Sequence, residues 1–459
     1  MRQFINNYRE LYELNRKIGL VSLGCPKNLV DSELMLGSLK GHGYEIVTET
    51  SEAQIIIVNT CGFIESAKQE SINTIIEMAA YKQQSCELLI VTGCLAQRYK
   101  QMILDEIPEV DAVLGTGSYS EITSIINEAY EGKHPSIYGE LEGTDYFEGE
   151  RILSTGKGFA YLKIAEGCDN CCTYCVIPSL RGRFRSRKKE EILKEAVKLA
   201  ASGVKELILV AQDTTRYGLD IYGEKRLVEL IRGLSTIEGI DWIRLLYCYP
   251  EEIDDLLIDE IANNDKVCKY IDIPIQHASD SILKRMARRG SSSEAERLLD
   301  ELRRRIIGLT VRTSLIVGFP GETEDDFNKL TIFIDKYKFD RLGVFMYSKE
   351  DGTPAALMKD QIPAGIKRSR HSRLLRLQQQ ISSEKNSNRL GKEYKVLVEG
   401  VAEDGIFYFG RSYAEAPDID GLIYFTSGEP LETGMMVTVK ILNSGQYDLT
   451  GEVKNESAQ

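Results

Sequence analysis

The sequence contains no long apolar run, and this absence excludes the simplest membrane architecture. No stretch of its 459 residues approaches the ~18 apolar residues that suggest a membrane-spanning helix. The first sixteen residues have neither an apolar core nor a small-residue cleavage site, so they do not look like a secretion signal. We therefore expect a cytoplasmic globular protein with no membrane partner, in which a short polar extension precedes the first strand.

An excess of positive charge is also missing. The formal net charge is −13, whereas a general nucleic-acid-binding protein is usually basic. There are ten cysteines, and without a secretion signal they indicate a reducing compartment and a metal-binding or catalytic use of thiols. The composition therefore favours a small-molecule or basic-protein partner.

The length of the chain and its pattern of predicted strands and helices indicate three domains. A chain of 459 residues is too long for one compact core. Strand–helix alternation over residues 1–140 predicts an α/β domain with a parallel sheet. A polar linker, residues 141–155, leads to residues 156–385, where six strand–helix units predict a partial TIM-like (β/α)6 barrel. Four short strands in residues 386–459 predict a small antiparallel β-barrel.

A loop with four closely spaced cysteines is the most informative stretch. It follows an apolar run at residues 159–164, and Cys168, Cys172 and Cys175 within it have the spacing C-x-x-x-C-x-x-C, while Cys171 falls outside that pattern. Thiolates are the usual protein ligands of iron–sulfur clusters. Structural zinc would need a second pair of ligands, and a disulfide knot would need an oxidising compartment. Both alternatives stay open on spacing alone, but the cluster is favoured.

Three more cysteines each stand at the end of a predicted strand. Cys25, Cys61 and Cys94 follow three apolar runs, and each has a neighbouring glycine. Because ligands of open α/β sheets bind at the carboxyl ends of parallel strands, these thiols can converge although they are distant in sequence. The alternative is that they are buried structural cysteines, a role that also fits Cys86.

These motifs resemble those of two nested enzyme families. The cysteine spacing after the first strand of an α/β region resembles that of the radical S-adenosylmethionine (radical SAM) enzymes, and residues 25–33 (CPKNLVDSE) resemble the opening motif of the methylthiotransferases. The resemblance implies two [4Fe-4S] clusters, SAM as cofactor, and a terminal OB-like TRAM domain. The implied ligands are Cys25, Cys61 and Cys94 for the first cluster and Cys168, Cys172 and Cys175 for the second.

Residues that follow the barrel strands are candidates for the SAM and substrate pocket, because barrel chemistry sits at the carboxyl ends of strands. By resemblance and position, the candidate SAM contacts are Gln212, Asp213, Gln276, Gly318 and Glu322. The candidate substrate contacts are Arg183, Tyr249 and His277. A structural role for His277 is equally compatible with the sequence, and the basic run around Arg183 can also be read as a solvated face.

Two short segments of the chain indicate which substrate is modified among those of the methylthiotransferases. Residues 247–250 (Tyr-Cys-Tyr-Pro) and 276–279 (Gln-His-Ala-Ser) resemble the branch that acts on the β-carbon of an aspartate in small-subunit ribosomal protein twelve. An acidic terminal barrel agrees with a basic protein partner and argues against RNA binding as its main role. The resemblance further implies a one-electron donor such as ferredoxin or flavodoxin, and a sulfur donor. The alternatives are a tRNA adenosine methylthiotransferase and an iron–sulfur carrier.

Overall fold

The computed structural model describes residues 16–141 and 146–454, which form three successive units. The predicted N-terminal extension, except for Arg16, and part of the predicted linker lie outside these ranges. Within the described ranges, no helix is both long and apolar enough to cross a lipid bilayer.

The first unit is a parallel sheet covered by helices on both faces. Its strands are β1 (Lys17–Ser22), β2 (Glu45–Ile46), β3 (Ile55–Thr60), β4 (Leu88–Gly93), β5 (Ala112–Leu114) and β6 (Ser136–Ile137). Its helices are α1 (Pro26–Gly41), α2 (Glu65–Ala79), α3 (Cys94–Tyr99), α4 (Gln101–Glu106) and α5 (Ile122–Tyr130). The sheet order is β2-β1-β3-β4-β5-β6, with every pairing parallel. Every residue of β3 and β4 is buried, as expected for central strands covered on both faces.

The central unit is an open six-stranded parallel sheet in the order β7-β10-β11-β12-β13-β14. The strands of this unit, including two that lie outside the six-stranded sheet, are β7 (Phe159–Lys163), β8 (Ala165–Glu166), β9 (Arg185–Ser186), β10 (Glu206–Val210), β11 (Trp242–Leu245), β12 (Val267–Gln276), β13 (Thr310–Val317) and β14 (Arg341–Met346). The short strands β8 and β9 pair separately, antiparallel to each other. The helices are α6 (Ile177–Arg181), α7 (Lys189–Ala201), α8 (Leu219–Tyr222), α9 (Leu227–Ser235), α10 (Asp255–Asn263), α11 (Asp280–Arg285), α12 (Ser292–Arg305), α13 (Glu324–Tyr337) and α14 (Ala364–Ser387).

The two faces of the central sheet have different partners. Alternate strand residues such as Leu162 and Leu209 pack outward against the helices in one large core. The residues between them, including Tyr161 and Ile208, pack against Leu34 of α1 and Leu397 of the third unit. The first and third units therefore fill the concave face of the partial barrel.

The third unit is a closed five-stranded barrel, β15-β16-β17-β19-β18. Its strands are β15 (Glu393–Val401), β16 (Tyr408–Arg411), β17 (Ile423–Thr426), β18 (Met436–Ser444) and β19 (Leu449–Val453). All pairings are antiparallel except β17 with β19. The fifth strand, β19, was not among the four predicted, because it is short and follows the polar turn at residues 445–448 closely.

Buried charges attach the barrel to the central sheet. Glu206 accepts hydrogen bonds from Arg244 (Nε–Oε1 2.6 Å) and from Arg411 of the barrel (Nη2–Oε2 2.8 Å), and all three residues are fully buried. The loop after β16 adds Asp420, whose carboxylate accepts from the Tyr270 hydroxyl at 2.8 Å. A buried pair that loses one partner leaves an uncompensated charge, so these contacts fix the position of the barrel.

Candidate functional site

Three cysteines follow three neighbouring strands of the first sheet. Strand β3 lies between β1 and β4, all three run parallel, and their carboxyl ends therefore share one edge. Cys25 follows β1 and directly precedes α1, Cys61 follows β3, and Cys94 is the first residue of α3. The structure places the three thiols at this edge.

Two glycines allow the cysteine-bearing loops to pack closely. A β-carbon on Gly24, whose φ is +90°, would lie 2.7 Å from Cβ and 3.1 Å from Sγ of Cys61. A β-carbon on Gly62 would lie 3.0 Å from the carbonyl oxygen of Cys94. Burial is the main cause that raises the pKa of Cys61 to about 12, and the neighbouring thiols of Cys94 and Cys25 contribute.

The second cysteine set lies in the loop between β8 and α6. Backbone N–H groups point at two of its sulfur atoms. The nitrogen of Asn170 lies 3.4 Å from Sγ of Cys168, and the nitrogen of Ile177 lies 3.4 Å from Sγ of Cys175. Hydrogen bonds to sulfur are one of the means by which proteins tune iron–sulfur sites. Cys172 is buried, whereas Cys171 is exposed, with its Sγ 3.7 Å from the carbonyl oxygen of Asp169.

The chemistry of both sets fits cluster ligation. Within residues 16–141 and 146–454, no three cysteine, histidine or acidic side chains are close enough to share one metal ion. A four-iron cluster needs no such convergence, because each thiolate binds a different iron. Burial raises the pKa of Cys175 to about 12. The thiol is therefore neutral until iron supplies the positive charge that favours the thiolate.

The two sets approach each other across the boundary between the first and central units. Cys94 forms one buried apolar cluster with Val176 and Leu180, which follow Cys175 closely in sequence, and Phe63 packs against it. A hydrogen bond from the Thr116 hydroxyl to the Leu180 carbonyl oxygen, 2.5 Å long, joins the same two segments. One cysteine of the first set therefore lies beside the segment that carries the second set.

A buried ionic network surrounds this contact. Arg181 donates from Nη1 to Asp31 (2.6 Å) and Glu166 (3.1 Å), and from Nη2 to Asn28 (2.6 Å). Lys163 donates to Glu166 at 2.6 Å and also to Asp31. Burial alone would raise the pKa of Glu166, but Lys163 and Arg181 hold it below its ordinary value. Asn28 and Asp31, two residues of the CPKNLVDSE motif in α1, are thereby bound to side chains that precede and follow the second cysteine loop.

Two other carboxylates join the same units. Glu33 of α1 accepts hydrogen bonds from the Arg151 guanidinium (Nε–Oε2 3.2 Å) and the Ser154 backbone (2.7 Å). Glu350, after β14, pairs with Arg98 at 2.7 Å and Lys68 at 3.1 Å. Both acids are almost fully buried. The edge that carries the first cysteine set is therefore fixed against the central unit from two sides.

A cavity of about 400 Å³ opens beside the second cysteine set. The guanidinium of Arg288 lies 4.3 Å from the ring centroid of Tyr249, and its Nη1 is 4.0 Å from Sγ of Cys172. The lining residues are Asp169, Asn170, Cys171, Cys172, Arg216, Tyr249, Glu251, Ala287, Arg288 and Arg289. Three of these residues are arginines, so the cavity can bind anionic groups.

The first two candidate SAM residues lie beneath the cysteine loop. Gln212 donates to Glu166 at 2.7 Å, and its own Oε1 has no hydrogen-bond partner in the described residues. Asp213 is buried and accepts from Asn170 (3.0 Å) and the Thr215 hydroxyl (2.6 Å). Burial raises the pKa of Asp213. Asp213 thus supports the loop through Asn170, whereas Gln212 has a free acceptor.

Of the other three candidates, Gln276 is the last residue of β12, and Gly318 and Glu322 follow β13. Glu322 accepts from the backbone N–H groups of Gly318 and Phe319 (3.0 Å for the second) and lies 3.2 Å from Arg370. Burial raises the pKa of Glu322 to about 7, and Arg370 opposes this shift. Gln276 has a φ of +70°, which is uncommon for a residue with a side chain. The Gly318–Glu322 turn is therefore held by its own carboxylate.

The candidate substrate residues differ in exposure. Tyr249 lines the cavity described above, and Arg183 is exposed beside the cysteine loop. His277 is fully buried, and its Nδ1 accepts from the Ser279 backbone at 3.0 Å. Burial lowers the pKa of His277 to about 4. This geometry favours the structural alternative for His277.

Several residues that build the site were not predicted from the sequence. Lys163 is a buried lysine at the end of an otherwise apolar strand, a pattern that could have marked it as charge-paired. Arg288 belongs to the Arg-Arg-Gly run after α11, which also lies at the carboxyl edge of the barrel. The contact of Glu350 with Arg98 joins residues too distant in sequence to be predicted.

Three family models match the chain, one for each unit. Residues 17–115 match an uncharacterized protein family, UPF0004, residues 162–334 match the radical SAM superfamily, and residues 390–453 match the TRAM domain. The matches agree with the predicted order of a parallel-sheet α/β domain, a radical SAM barrel and a terminal TRAM barrel, which is confirmed.

Curated relatives match nearly the whole chain. A protein of Acetivibrio thermocellus, described as ribosomal protein uS12 methylthiotransferase RimO, is 60% identical over 453 residues, which cover 97% of this chain and 100% of the relative. A protein of Clostridium botulinum with the same description is 54% identical over 441 residues, with coverage of 96% and 98%.

A solved structure shares the fold at low sequence identity. The radical S-adenosylmethionine methyltransferase TsrM of Kitasatospora setae, with cobalamin and a [4Fe-4S] cluster bound, aligns with a TM-score of 0.55. The alignment has 13% identity and covers 75% of this chain and 74% of TsrM. At this identity the likeness concerns the fold alone.

Proposed function

This chain belongs to the RimO family of ribosomal protein uS12 methylthiotransferases, and we propose that it inserts a methylthio group at the β-carbon of one aspartate of uS12. It is a radical SAM enzyme. Replacing an unactivated C–H bond by C–S–CH₃ offers no acidic proton to a protein base, so the cofactors must supply the reactive species. The product is 3-methylthioaspartate.

The observation that carries this proposal is the meeting of two three-cysteine sets across one boundary. We propose that Cys25, Cys61 and Cys94 hold one [4Fe-4S] cluster and that Cys168, Cys172 and Cys175 hold another. Cys94 packs against Val176 and Leu180 of the second loop. When bound, these clusters and SAM supply an electron, a hydrogen-abstracting radical, sulfur and a methyl group.

The residues of the chain then position and shield these groups. Asp31 and Glu166 hold Arg181 and Lys163 between the two cysteine sets, and all four are buried. Such pairing excludes water and fixes one loop against the other, because each of these four buried charges has a partner of opposite sign. The backbone donors of Asn170 and Ile177 stabilise the second set of thiolates.

We assign SAM to the cavity beside Cys172 and to the barrel edge around it. A volume of about 400 Å³ lies within the range of ligand pockets, roughly 300–1,000 Å³. Arg288 provides positive charge for a carboxylate, and the free Oε1 of Gln212 can accept from an amino group. Asp213, Gln276, Gly318 and Glu322 shape this edge of the barrel.

The charge of the terminal barrel suits a basic protein. Several of its acids, including Glu415 and Asp420, are used internally to bind arginines of the central unit. Eight other acids remain exposed against four lysines: Glu393, Glu403, Asp404, Asp418, Glu429, Glu432, Asp448 and Glu452 against Lys392, Lys395, Lys440 and Lys454. Phosphate binding requires the opposite balance. A one-electron donor such as ferredoxin or flavodoxin, and a sulfur donor, complete the partners.

Mass spectrometry of uS12 tests the function. In cells that contain this gene, uS12 should be heavier by about 46 Da, the mass of one sulfur atom plus CH₂, and deletion should remove this difference. A fragment spectrum should place it on one aspartate. An unchanged uS12 together with loss of methylthioadenosine from tRNA would instead establish the tRNA activity.

A further inference from the structure

Lys27 is a buried cation at the start of α1. It lies two residues after Cys25, only 7% of it is exposed, and its Nζ is 3.4 Å from the ring centroid of Tyr247. Burial of an ammonium group is costly unless an anion or several acceptors compensate it. A tyrosine ring compensates only part of this cost.

The other buried cations of this interface all have carboxylate partners. Lys163 and Arg181 bind Asp31 and Glu166, and Arg151 binds Glu33. In the described parts of the chain, by contrast, no carboxylate oxygen lies within 4.0 Å of Lys27 Nζ. The carboxylate of Glu166 already accepts from Lys163, Arg181 and Gln212. Lys27 is therefore the cation of this interface for which the chain provides no anion.

The position of Lys27 is where substrate must arrive. It stands between Cys25 of the first cysteine set and Tyr247, which follows β11 at the carboxyl edge of the barrel. Tyr247 has a φ of +61°, and such conformations in residues with side chains concentrate at functional sites. The reacting carbon must lie between the two cysteine sets, within reach of both.

We propose that the ammonium group of Lys27 binds the side-chain carboxylate of the target aspartate. This inference rests on the proposed function. The carboxylate carbon is bonded directly to the β-carbon, so an ion pair at the carboxylate places the reacting carbon to within one bond. It also selects aspartate over asparagine and over a nucleobase, neither of which carries the negative charge that compensates Lys27.

A double-mutant cycle tests this pairing by binding alone. Cluster-loaded enzyme, without SAM or reductant, is titrated with uS12 and with uS12 whose modified aspartate is replaced by asparagine. The wild-type enzyme should bind the aspartate form about 10- to 100-fold more tightly, the range for a charge-assisted hydrogen bond. Lys27→Met should bind both forms with equal affinity, and Lys27→Arg should retain part of the preference.

Controls separate this inference from a folding defect and from failure of the proposed function. Lys40→Met alters an exposed lysine of the same helix and should behave as wild type. Iron and sulfide content should be equal in all variants. If Lys27→Met keeps the wild-type preference for aspartate, the inference is wrong, although the enzyme still modifies uS12. If wild-type enzyme modifies no form of uS12, the proposed function itself is wrong.

Discussion

Asp31→Asn should loosen the contact between the first and central units. Asp31 is 2% exposed, and its carboxylate accepts hydrogen bonds from both Lys163 and Arg181. The substitution therefore removes one of the two carboxylates, Asp31 and Glu166, that balance the charge of these cations. Asparagine keeps the shape of the side chain, but its amide group must direct N–H toward one of the cations. The change is therefore electrostatic, with no cavity.

The expected cost follows from the loss of the carboxylate charge and of one hydrogen bond. Each charge-assisted hydrogen bond contributes about 1.5–3 kcal/mol, and removing one partner from a buried ion pair typically costs about 3–5 kcal/mol. We expect the second range for Asp31→Asn, because Glu166 still compensates part of the positive charge. This free energy corresponds to an increase of about 200- to 5,000-fold in the population of the separated state.

Amide hydrogen exchange measures this population directly. Protection in α1 should fall by that factor, while amides of the closed barrel β15–β19 should exchange at the wild-type rate. Asp105→Asn provides the control, since Asp105 is exposed and, among residues 16–141 and 146–454, its carboxylate accepts a hydrogen bond from Gln101 of its own helix alone, at 3.3 Å. If both variants exchange alike in α1, the network does not hold the two units together.

Two other predictions concern the second cysteine loop and the buried histidine. Cys172→Ala should remove about four irons per chain and abolish reductive SAM cleavage, whereas Cys171→Ala should preserve both, as iron analysis and 5′-deoxyadenosine yield would report. His277 has a folded pKa of about 4 against about 6.5 unfolded, so its contribution to stability is complete above pH 6.5 and is lost as the pH falls toward 4. Between pH 7.5 and 5.5, apo wild-type protein should lose about 1.4 kcal/mol more stability in urea than His277→Asn; equal losses would show that His277 is protonated in the folded state.

Local sequence patterns were sufficient for the order of the three units and for the long buried strands. Buried strands such as β3 and β4 are continuous apolar runs followed closely by glycine or cysteine, so their direction and the edge that carries the cysteines could be predicted from hydrophobic period and spacing. Strands of two residues such as β2 and β6 carry no such pattern, and they were not predicted. Their pairing depends on neighbouring strands in the sheet.

Of the residues in the candidate site, the cysteines were the ones that the sequence alone could single out. The cysteines are identified by their spacing and strand position, whereas Asp31, Lys163 and Arg181 acquire their roles through contacts between segments more than a hundred residues apart. The basic run was open to two readings for the same reason. Arg181 and Arg187 bind carboxylates inside the protein, and Arg183 is exposed.

The position of these partners along the chain also sets an order of events during synthesis. Asp31 and Glu33 leave the ribosome well before Arg151, Lys163 and Arg181, their partners, have been translated. We expect the first unit to fold with these acids in water and its cysteine edge uncovered. The edge closes only when the next hundred residues dock, so its three cysteine thiols are most accessible from solution on a nascent or undocked chain.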